Sequence, residues 1–288
     1  EIIPKKKEFN SIIGACEYKA RSGVEFTPAE IYFIEPVKPV SKKNAYLFKP
    51  IEFKNSTYKT KSNLPVQLET EFIRPVIKAP EILPFGFKEN MNYCVFPYVN
   101  GVSKSADPSL LLKKSPDLLK YFTTNKTIIG KQSKRSLTIS RGNAFYSLSK
   151  VGDYTYSPFQ VTFRDNTKLS AAVVQKVKTP WGAELMPICA KHCPYISKDI
   201  NDRDITEDEA FYICAILNSP IVGLYFKFTY STRSYSINFN IKMPLYNAKN
   251  VNHQNLVKLA KKATKNGVSD KINADLDKYY LALCKEKK

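Results

Sequence analysis

The longest apolar stretch of the chain, EAFYICAILNSPIVGLYFKFTY (209–230), most constrains how the sequence can fold. Asp204 and Thr206, with three consecutive acidic residues after them, precede or begin it, which is the pattern of a helix cap with an acidic first turn. Apolar residues then recur at helical spacing, and Pro220 lies inside the pattern, where it would interrupt a single helix. We therefore expect two consecutive core helices, the second beginning near Ser219.

The rest of the chain mixes strand-like and helix-like patterns. Runs with a period near two predict strands at 30–37, 44–53, 92–99, 156–165 and 169–177. The apolar spacing within 64–87 predicts a short helix broken at Pro75, followed by a loop. The tail from 251 to 285 predicts one or two amphipathic helices with a break at Gly267.

A further helical segment is expected at 107–133, around Pro116. Ser115 would be its N-cap and Pro116 its first helical residue, since proline is favoured at that position. The lysines of this segment that we expect to face outward are Lys113, Lys114 and Lys120.

Together these elements predict an α+β fold, in which a mixed β-sheet carries flanking helices and is followed by C-terminal helices. We expect a strand-rich N-terminal lobe (1–103), a main lobe (104–250) and a C-terminal helical tail (251–288). No window approaches the roughly 18 apolar residues that span a bilayer, and the N-terminus lacks the apolar core of a signal peptide. The sequence therefore predicts a soluble, cytoplasmic protein without a membrane partner.

The chain begins with Glu1 rather than Met, so we expect a fragment whose activity depends on another part of a longer protein. Six cysteines are dispersed among apolar residues, unlike a disulfide scaffold, and we expect reduced thiols. Cys189-Ala-Lys-His192-Cys193 could supply zinc ligands, but a four-ligand site needs a second pair at defined spacing, which the sequence lacks. We expect no metal site.

The formal net charge of +19 is concentrated in the middle of the chain, because residues 104–198 contain 16 basic and 5 acidic side chains. Clustered positive charge is typical of a protein that binds a phosphate backbone and releases its counterions. The alternative is a solvated, lysine-rich surface with no such partner.

The segment GKQSKRSLTISRGNAFYSLSK (130–150) has the densest part of this charge. It contains five basic residues, five serines, one threonine, two aromatic residues and no acid. Nucleic acid accepts all of these groups, because cations neutralise phosphates, hydroxyls bond to the backbone and rings stack on bases. The phosphate contacts that we expect are Lys131, Lys134, Arg135 and Arg141.

A second such segment is FTYSTRSYSINFN (228–240). Arginine and asparagine there could read base edges, and tyrosine could contact a groove. The residues that we expect to do so are Arg233, Tyr235 and Asn238. A serine-rich hairpin with half-buried tyrosines is the structural alternative.

Recognisable catalytic motifs are missing. The chain has no Gly-rich phosphate loop, no Gly-x-Gly-x-x-Gly segment and no nucleophile elbow. Glu52-Phe53-Lys54 has the spacing of a metal-dependent nuclease motif, but no aspartate precedes it. Two alternatives to duplex recognition therefore stay open: a metal-dependent nuclease using Glu52 and Lys54, and a module that stacks single-stranded nucleic acid on its tyrosines.

The order of segments resembles that of the C-terminal target-recognition domain of adenine-specific DNA methyltransferases, including those fused to restriction endonucleases. Each segment is a packing or turn device, and the likeness rests on their order along nearly the whole chain. The segments are KARSGVEFTPAEIYFIEP (19–36), LETEFIRPVIKAPEI (68–82), CVFPYVNG (94–101), SPDLLKYFTTNKTII (115–129), AFYSLSKVGDYTYSPFQVTFRD (144–165), AILNSPIVGLYFKFT (215–229), IKMPL (241–245) and HQNLVKLAKKA (253–263).

The resemblance implies a division of labour. In that family another domain binds S-adenosylmethionine and holds the flipped adenine with an Asn-Pro-Pro-Tyr or Asp-Pro-Pro-Tyr motif. Here Asn218-Ser219-Pro220 and Asp107-Pro108-Ser109 lack the Pro-aromatic continuation. The resemblance therefore implies that loops of this chain would contact double-stranded DNA, while an upstream methyltransferase domain would bind S-adenosylmethionine and act on the extruded base. The basic run 131–141 is richer than the family requires.

Overall fold

The computed structural model describes residues 6–54, 65–89, 91–131, 144–230, 237–238 and 240–286. The helices of these residues are α1 (Lys6–Ile12), α2 (Ala29–Tyr32), α3 (Pro108–Lys114), α4 (Pro116–Thr124), α5 (Lys126–Ile129), α6 (Glu207–Leu217), α7 (Pro220–Thr229), α8 (Val251–Asn266) and α9 (Asp270–Lys285). Their strands are β1 (Tyr18–Arg21), β2 (Phe33–Pro39), β3 (Ala45–Pro50), β4 (Val66–Glu69), β5 (Ile73–Ile77), β6 (Ile82–Leu83), β7 (Gly86–Phe87), β8 (Asn92–Val95), β9 (Val161–Phe163), β10 (Ala171–Val173), β11 (Val177–Lys178), β12 (Glu184–Leu185), β13 (Ile188–Cys189) and β14 (Tyr195–Asp199). The predicted α+β class is confirmed.

Within the described residues, the larger sheet has the strand order β13-β5-β8-β2-β3-β4. Its neighbouring strands are antiparallel except β13 and β5, which makes the sheet mixed as predicted. Helices α2 to α5 share an apolar core with it, and Phe48, Phe72, Phe122 and Tyr146 are fully buried there. Each such side chain contributes about 1.5–3 kcal/mol by leaving water.

The smaller sheet, β1-β14-β9-β10, is antiparallel and shares a second core with α1 and α6 to α9. Every residue of α6 from Glu209 to Leu217 is buried, because the helix contacts β9 and β10 as well as α8. The predicted cap of α6 is confirmed at Thr206, whereas Asp204 instead accepts the Ser157 hydroxyl at 2.7 Å. The Thr206 hydroxyl accepts the Glu209 N–H at 3.3 Å, and the Glu209 carboxylate accepts the Thr206 N–H at 2.8 Å.

The predicted helix breaks are also confirmed. Helix α7 begins at Pro220 with Ser219 as N-cap. Gly267 separates α8 from α9 and has a φ of 79°, a left-handed conformation that glycine adopts without strain. In the described part of the chain no single helix has the length and apolarity to cross a membrane; α6 and α7 meet that test only as a pair bent by 58°.

The helix predicted within 64–87 is wrong. The described part of this range forms β4 to β7, with 3-10 turns at Thr70–Phe72 and Ala79–Glu81, and Pro75 pairs inside β5 with Tyr93 of β8. The apolar spacing fits a strand buried on both faces as well as a helix, and β5 is such a strand. The strand predicted at 30–37 begins only at Phe33, because α2 precedes it.

A third apolar cluster joins the two sheets. It combines Ile77 of β5 and Cys189 of β13 with Ala172 of β10 and Tyr195 of β14. The three-part division of the chain at 103 and 250 stays a prediction.

Candidate nucleic-acid interface

The seven predicted contact residues fall largely in parts of the chain that the structure does not describe. Lys134, Arg135, Arg141, Arg233 and Tyr235 lie outside the described residues. The two that are described, Lys131 and Asn238, are exposed. Their roles in DNA contact stay predictions, and the described residues around the two segments define where such an interface would lie.

The aromatic end of the segment 130–150 is an anchor in the core. Tyr146 is fully buried, stacks on Phe122 at 4.6 Å between ring centroids, and donates its hydroxyl to the carbonyl of Ala106 at 2.8 Å. Its ring is therefore not available to stack on a base, contrary to the expectation for this segment. Phe145 is partly exposed, and the Lys126 ammonium lies 5.2 Å from its ring.

The outer surface of α3, α4 and α5 precedes this segment directly. Lys113, Lys114 and Lys120 are exposed there, as predicted, and Lys114 pairs with Glu71 at 2.6 Å. Lys120, Thr123 and Thr124 lie three and four residues apart in α4, so they share one face of that helix. The exposed lysines and threonines that we call the helical lysine face are Lys113, Lys120, Lys126, Thr123, Thr124 and Thr127.

The carboxylates nearest in sequence are already bonded. Asp107 caps α3 by accepting the Leu110 N–H at 2.8 Å. Asp117 accepts Lys42 at 2.8 Å and the Gln67 amide at 3.0 Å. Among the described residues, no carboxylate forms an ion pair with any of the three lysines of the helical lysine face. Their charge therefore faces solvent.

A buried carboxylate from β4 fixes the start of α4. Glu69 accepts the backbone N–H groups of Asp117 and Leu118, each at 3.2 Å, and pairs with Lys42 at 2.5 Å. Ser115 precedes Pro116 as predicted, but its hydroxyl makes no capping bond and is buried without a partner in the described part of the chain. Glu69 therefore caps α4 in place of Ser115, and it links α4 to the larger sheet.

The second predicted segment follows α7. Tyr230 packs on Phe226 at 5.0 Å between ring centroids and belongs to the helical core. Phe228 is 66% exposed, and the Lys227 ammonium lies 5.8 Å from its ring. The flanks of the two predicted segments are therefore anchored in different cores, Tyr146 under α4 and Tyr230 among the C-terminal helices.

A junction of three segments, which we call the Ser22 junction, brings together residues 21–25, 149–150 and 189–191. The Val24 N–H donates to the Cys189 carbonyl at 2.8 Å, and the Lys150 ammonium donates to the Ser22 hydroxyl at 3.2 Å. A Cβ on Gly23 would lie 2.0 Å from the Ala190 carbonyl oxygen, so only glycine permits this approach.

Basic side chains surround the Ser22 junction. Lys191 pairs with Glu25 at 2.7 Å, and the Arg21 guanidinium lies 5.4 Å from the ring centroid of Tyr154. Burial alone would raise the pKa of the Glu25 carboxyl, but the hydrogen bond and charge of Lys191 outweigh it and hold that pKa below its ordinary value. Sequence reasoning missed these cations because three distant segments supply them. The only local signal was the Arg-Ser-Gly motif.

The two segments that resemble parts of an adenine-holding motif have structural roles. The Asn218 side chain bonds to both the N–H and the carbonyl of Ala171, at 3.0 and 2.7 Å. Asp107 is the cap of α3. Neither side chain is free to hold a base, so these residues do not fit an S-adenosylmethionine-linked adenine site.

The cysteine-histidine segment does not converge on a metal. Cys189 and Cys193 are buried, and Cys193 donates to the Ile77 carbonyl at 3.2 Å, whereas His192 is exposed beside Asp165. Burial raises the pKa of the Cys189 thiol to about 12, which opposes the thiolate that a metal requires. All six cysteines are free. Among the described residues, no group of three His, Cys, Asp or Glu side chains could hold a metal ion.

Glu52 and Lys54, the residues of the nuclease alternative, are both exposed just after the end of β3. They flank Phe53, which packs on Phe33 at 6.1 Å between ring centroids.

No protein-family model matches the chain, and no curated protein matches it.

Proposed function

We propose that this chain recognises a specific sequence in duplex DNA, as the target-recognition part of an adenine-specific DNA methyltransferase of a restriction-modification system. The resemblance of its ordered segments to that family supports the class. In this proposal the protein works in the cytoplasm, without a membrane.

The observation that carries the proposal is the helical lysine face. Among the described residues no carboxylate forms an ion pair with its lysines, although Lys120 acts electrostatically on Asp117, and the nearby Asp107 and Asp117 are bonded internally. The exposed hydroxyls of Thr124 and Thr127 can donate hydrogen bonds to phosphate oxygens, whereas that of Thr123 donates to the Leu119 carbonyl at 2.8 Å. The face also leads directly into the basic segment 130–150, so one phosphate backbone could follow both.

The chemistry would be divided between two domains. Lys131, Lys134, Arg135 and Arg141 would neutralise phosphates beside the helical lysine face. Base edges would be read by the predicted contacts of the second segment, Arg233, Tyr235 and Asn238. S-adenosylmethionine and the extruded adenine would belong to an upstream methyltransferase domain, the partner of this chain.

The test is duplex binding as a function of salt, compared between two triple variants. Lys113, Lys120 and Lys126 are changed to Gln in one, and Lys258, Lys262 and Lys265, which are exposed on α8, are changed to Gln in the control. Each lysine that neutralises a phosphate contributes about 0.9 to the slope of log K against log salt. We expect the first variant to lose up to about 2.7 from that slope and the control to lose almost nothing.

Equal slopes for the two variants would contradict the role of the helical lysine face. A competition between single strands and duplex belongs to the same experiment. Preference for single strands would favour the base-stacking alternative over duplex recognition.

A further inference from the structure

A cavity of about 380 Å³ opens beside the Ser22 junction, where sequence reasoning placed no contact residue. Its apolar lining includes Val24, Phe26 and Phe33. Its polar lining includes Thr27, Asn166 and His192, and Lys78 and Lys191 supply two cations. The cavity therefore combines an apolar surface with donors and positive charge.

Lys78 is the unusual member of this cavity. Its ammonium lies 4.9 Å from the ring centroid of Phe33 and 5.9 Å from that of Phe53. No carboxylate of the described residues lies within ion-pairing distance of it. By contrast, Lys191 in the same cavity is paired with Glu25. Lys78 is thus a cation of the cavity that forms no ion pair among the described residues, although Glu81, which accepts the Lys78 backbone N–H at 2.9 Å, acts on it electrostatically from outside the lining.

The surroundings of Lys78 make an anion favourable there. Burial lowers the pKa of Lys78, because the ammonium has lost part of its hydration. The two rings replace only part of that loss, since a cation–π contact is worth about 0.5–2 kcal/mol. An anion in the cavity would restore the rest through a charge-assisted hydrogen bond.

The lining also favours one kind of anion. Its lysines outnumber its carboxylates, because Lys78 and Lys191 face only Glu25, with Glu81 outside the lining, and a singly charged phosphodiester needs one such cation. The apolar part of the lining suits the deoxyribose that each phosphodiester carries. Lys150 of the Ser22 junction donates to the Ser22 hydroxyl at 3.2 Å and acts electrostatically on Glu25, which lines the cavity.

We infer that the Lys78 cavity binds one backbone phosphate of the DNA, with Lys78 as the phosphate-binding residue and the adjoining sugar against Phe26 and Phe33. The inference rests on the proposed function, and it adds a contact on the larger sheet to those of the basic segments. It also gives Gly23 a role, since the close approach at Ala190 places the residues from Val24 to Thr27 along the cavity.

The experiment compares wild type, Lys78→Met, Lys78→Arg and the exposed control Lys265→Met in duplex binding over a range of salt. Methionine keeps the apolar stem over the two rings and removes only the charge. We expect Lys78→Met to bind about fivefold more weakly at 0.15 M salt, with a slope lower by about 0.9. Lys78→Arg and Lys265→Met should keep the wild-type slope.

Duplexes with one methylphosphonate at each backbone position then locate the contact. We expect one position at which the neutral linkage weakens wild type but not Lys78→Met. A second readout needs no variant: the acetylation rate of Lys78 in wild type should fall when duplex is bound, which keeps the inference testable if Lys78→Met does not fold.

Two results would overturn the inference, and they are distinguishable. If wild type binds duplex but Lys78→Met has the same slope and methylphosphonate pattern, or Lys78 is not protected, the Lys78 contact is wrong and the proposed function stands. If wild type does not bind duplex at any salt concentration, the proposed function fails and the inference fails with it.

Discussion

Two buried carboxylates, Glu69 and Glu209, each hold the N-terminus of a helix, but they reach it from different places in the chain. Glu209 belongs to α6 and bonds back to Thr206 at its own cap. Glu69 belongs to β4 and reaches across to α4, which begins at Pro116. The first helix is capped from within, whereas the second is held by the sheet that it covers.

The two sites also differ in what they leave on the surface. Around Glu209 the cation is used internally, because Arg203 bonds to both Glu209, at 2.6 Å, and Asp199, at 3.1 Å. Around α4 the carboxylates hold the helix, and no carboxylate of the described residues forms an ion pair with Lys113, Lys120 or Lys126, whereas Lys114 pairs with Glu71. Helices α3 and α4 are thus held at their starts by Asp107 and Glu69, and three of their neighbouring lysines stay exposed to solvent.

The largest expected effect comes from removing the Glu209 carboxylate. Glu209→Ala removes one of the two carboxylate partners of Arg203 and the acceptor for the Tyr18 hydroxyl, and it leaves the Thr206 N–H unpaired. We expect the free energy of unfolding to fall by about 3 kcal/mol, because a buried charge network loses one member. Urea unfolding at pH 7 measures this. Glu207→Gln, exposed in the same first turn, should change it by less than about 0.5 kcal/mol.

A loss below about 1 kcal/mol for Glu209→Ala would mean that Arg203 and the cap find other partners. Glu209 would then not hold the start of α6 in the way that Glu69 holds the start of α4.

The next largest effect comes from removing the negative charge of Glu69. Glu69→Gln keeps the size of the side chain but removes the charge that pairs with Lys42 and one of the two acceptors for the start of α4. We expect a loss of about 2 kcal/mol, since hydrogen bonds to charged groups contribute about 1.5–3 kcal/mol. Hydrogen exchange should accelerate at the amides of residues 118–122 more than in α6. Glu71→Gln, an exposed pair with Lys114, is the control and should have little effect. Equal acceleration of hydrogen exchange in α4 and α6 would contradict the conclusion that Glu69 stabilises the start of α4 locally.

A smaller effect distinguishes α6, which is capped by its own segment, from α4, which is held by a distant strand. Thr206→Ala removes a capping hydroxyl and should cost about 1 kcal/mol. Ser115→Ala removes a hydroxyl that is buried without a partner, so the free energy of unfolding should stay within about 0.5 kcal/mol of wild type. Thermal or urea unfolding of both variants checks this. An equal cost for the two would show that Ser115, not Glu69, caps α4.

The smallest effect concerns the two histidines. His253 stacks on Tyr212 at 4.6 Å, its Nδ1 accepts the Asn247 N–H, and burial lowers its pKa. The unfolded chain therefore takes up a proton first as the pH falls, and His253 contributes stability above about pH 6.5 that is lost below it. Between pH 7 and pH 6 we expect a loss of up to about 0.7 kcal/mol, absent in His253→Phe. The exposed His192→Asn should keep the wild-type loss. If His253→Phe loses as much stability between pH 7 and pH 6 as wild type does, other groups cause that loss.

Local sequence signals made helices α6 to α9 predictable. Thr206, Pro220 and Gly267 each act on neighbouring residues, through a cap, a missing N–H and a left-handed φ, so the helices they delimit were predicted correctly. The range 64–87 was misjudged because its strands are defined by partners far along the chain. Pro75 pairs opposite Tyr93, and Val76 pairs with Ile188. Periodicity alone does not distinguish such a strand from a helix.

The candidate site was predictable to a lesser degree for the same reason. The exposure of Lys113 and Lys120 follows from the helical period of their own segment. The cap from Glu69 and the cavity beside Lys78 depend on residues brought together by the sheet, so no short motif indicates them. The aromatic residues of the segment 130–150 looked like stacking groups, but Tyr146 fills the core.

Binding of duplex DNA by the helical lysine face is tested most directly by the acetylation rate of each lysine in the intact protein, measured by mass spectrometry with and without duplex. We expect bound duplex to protect Lys113, Lys120, Lys126 and Lys131, while Lys258, Lys262 and Lys265 react as before. Equal protection of both groups, or none for the helical lysine face while duplex is bound, would contradict it.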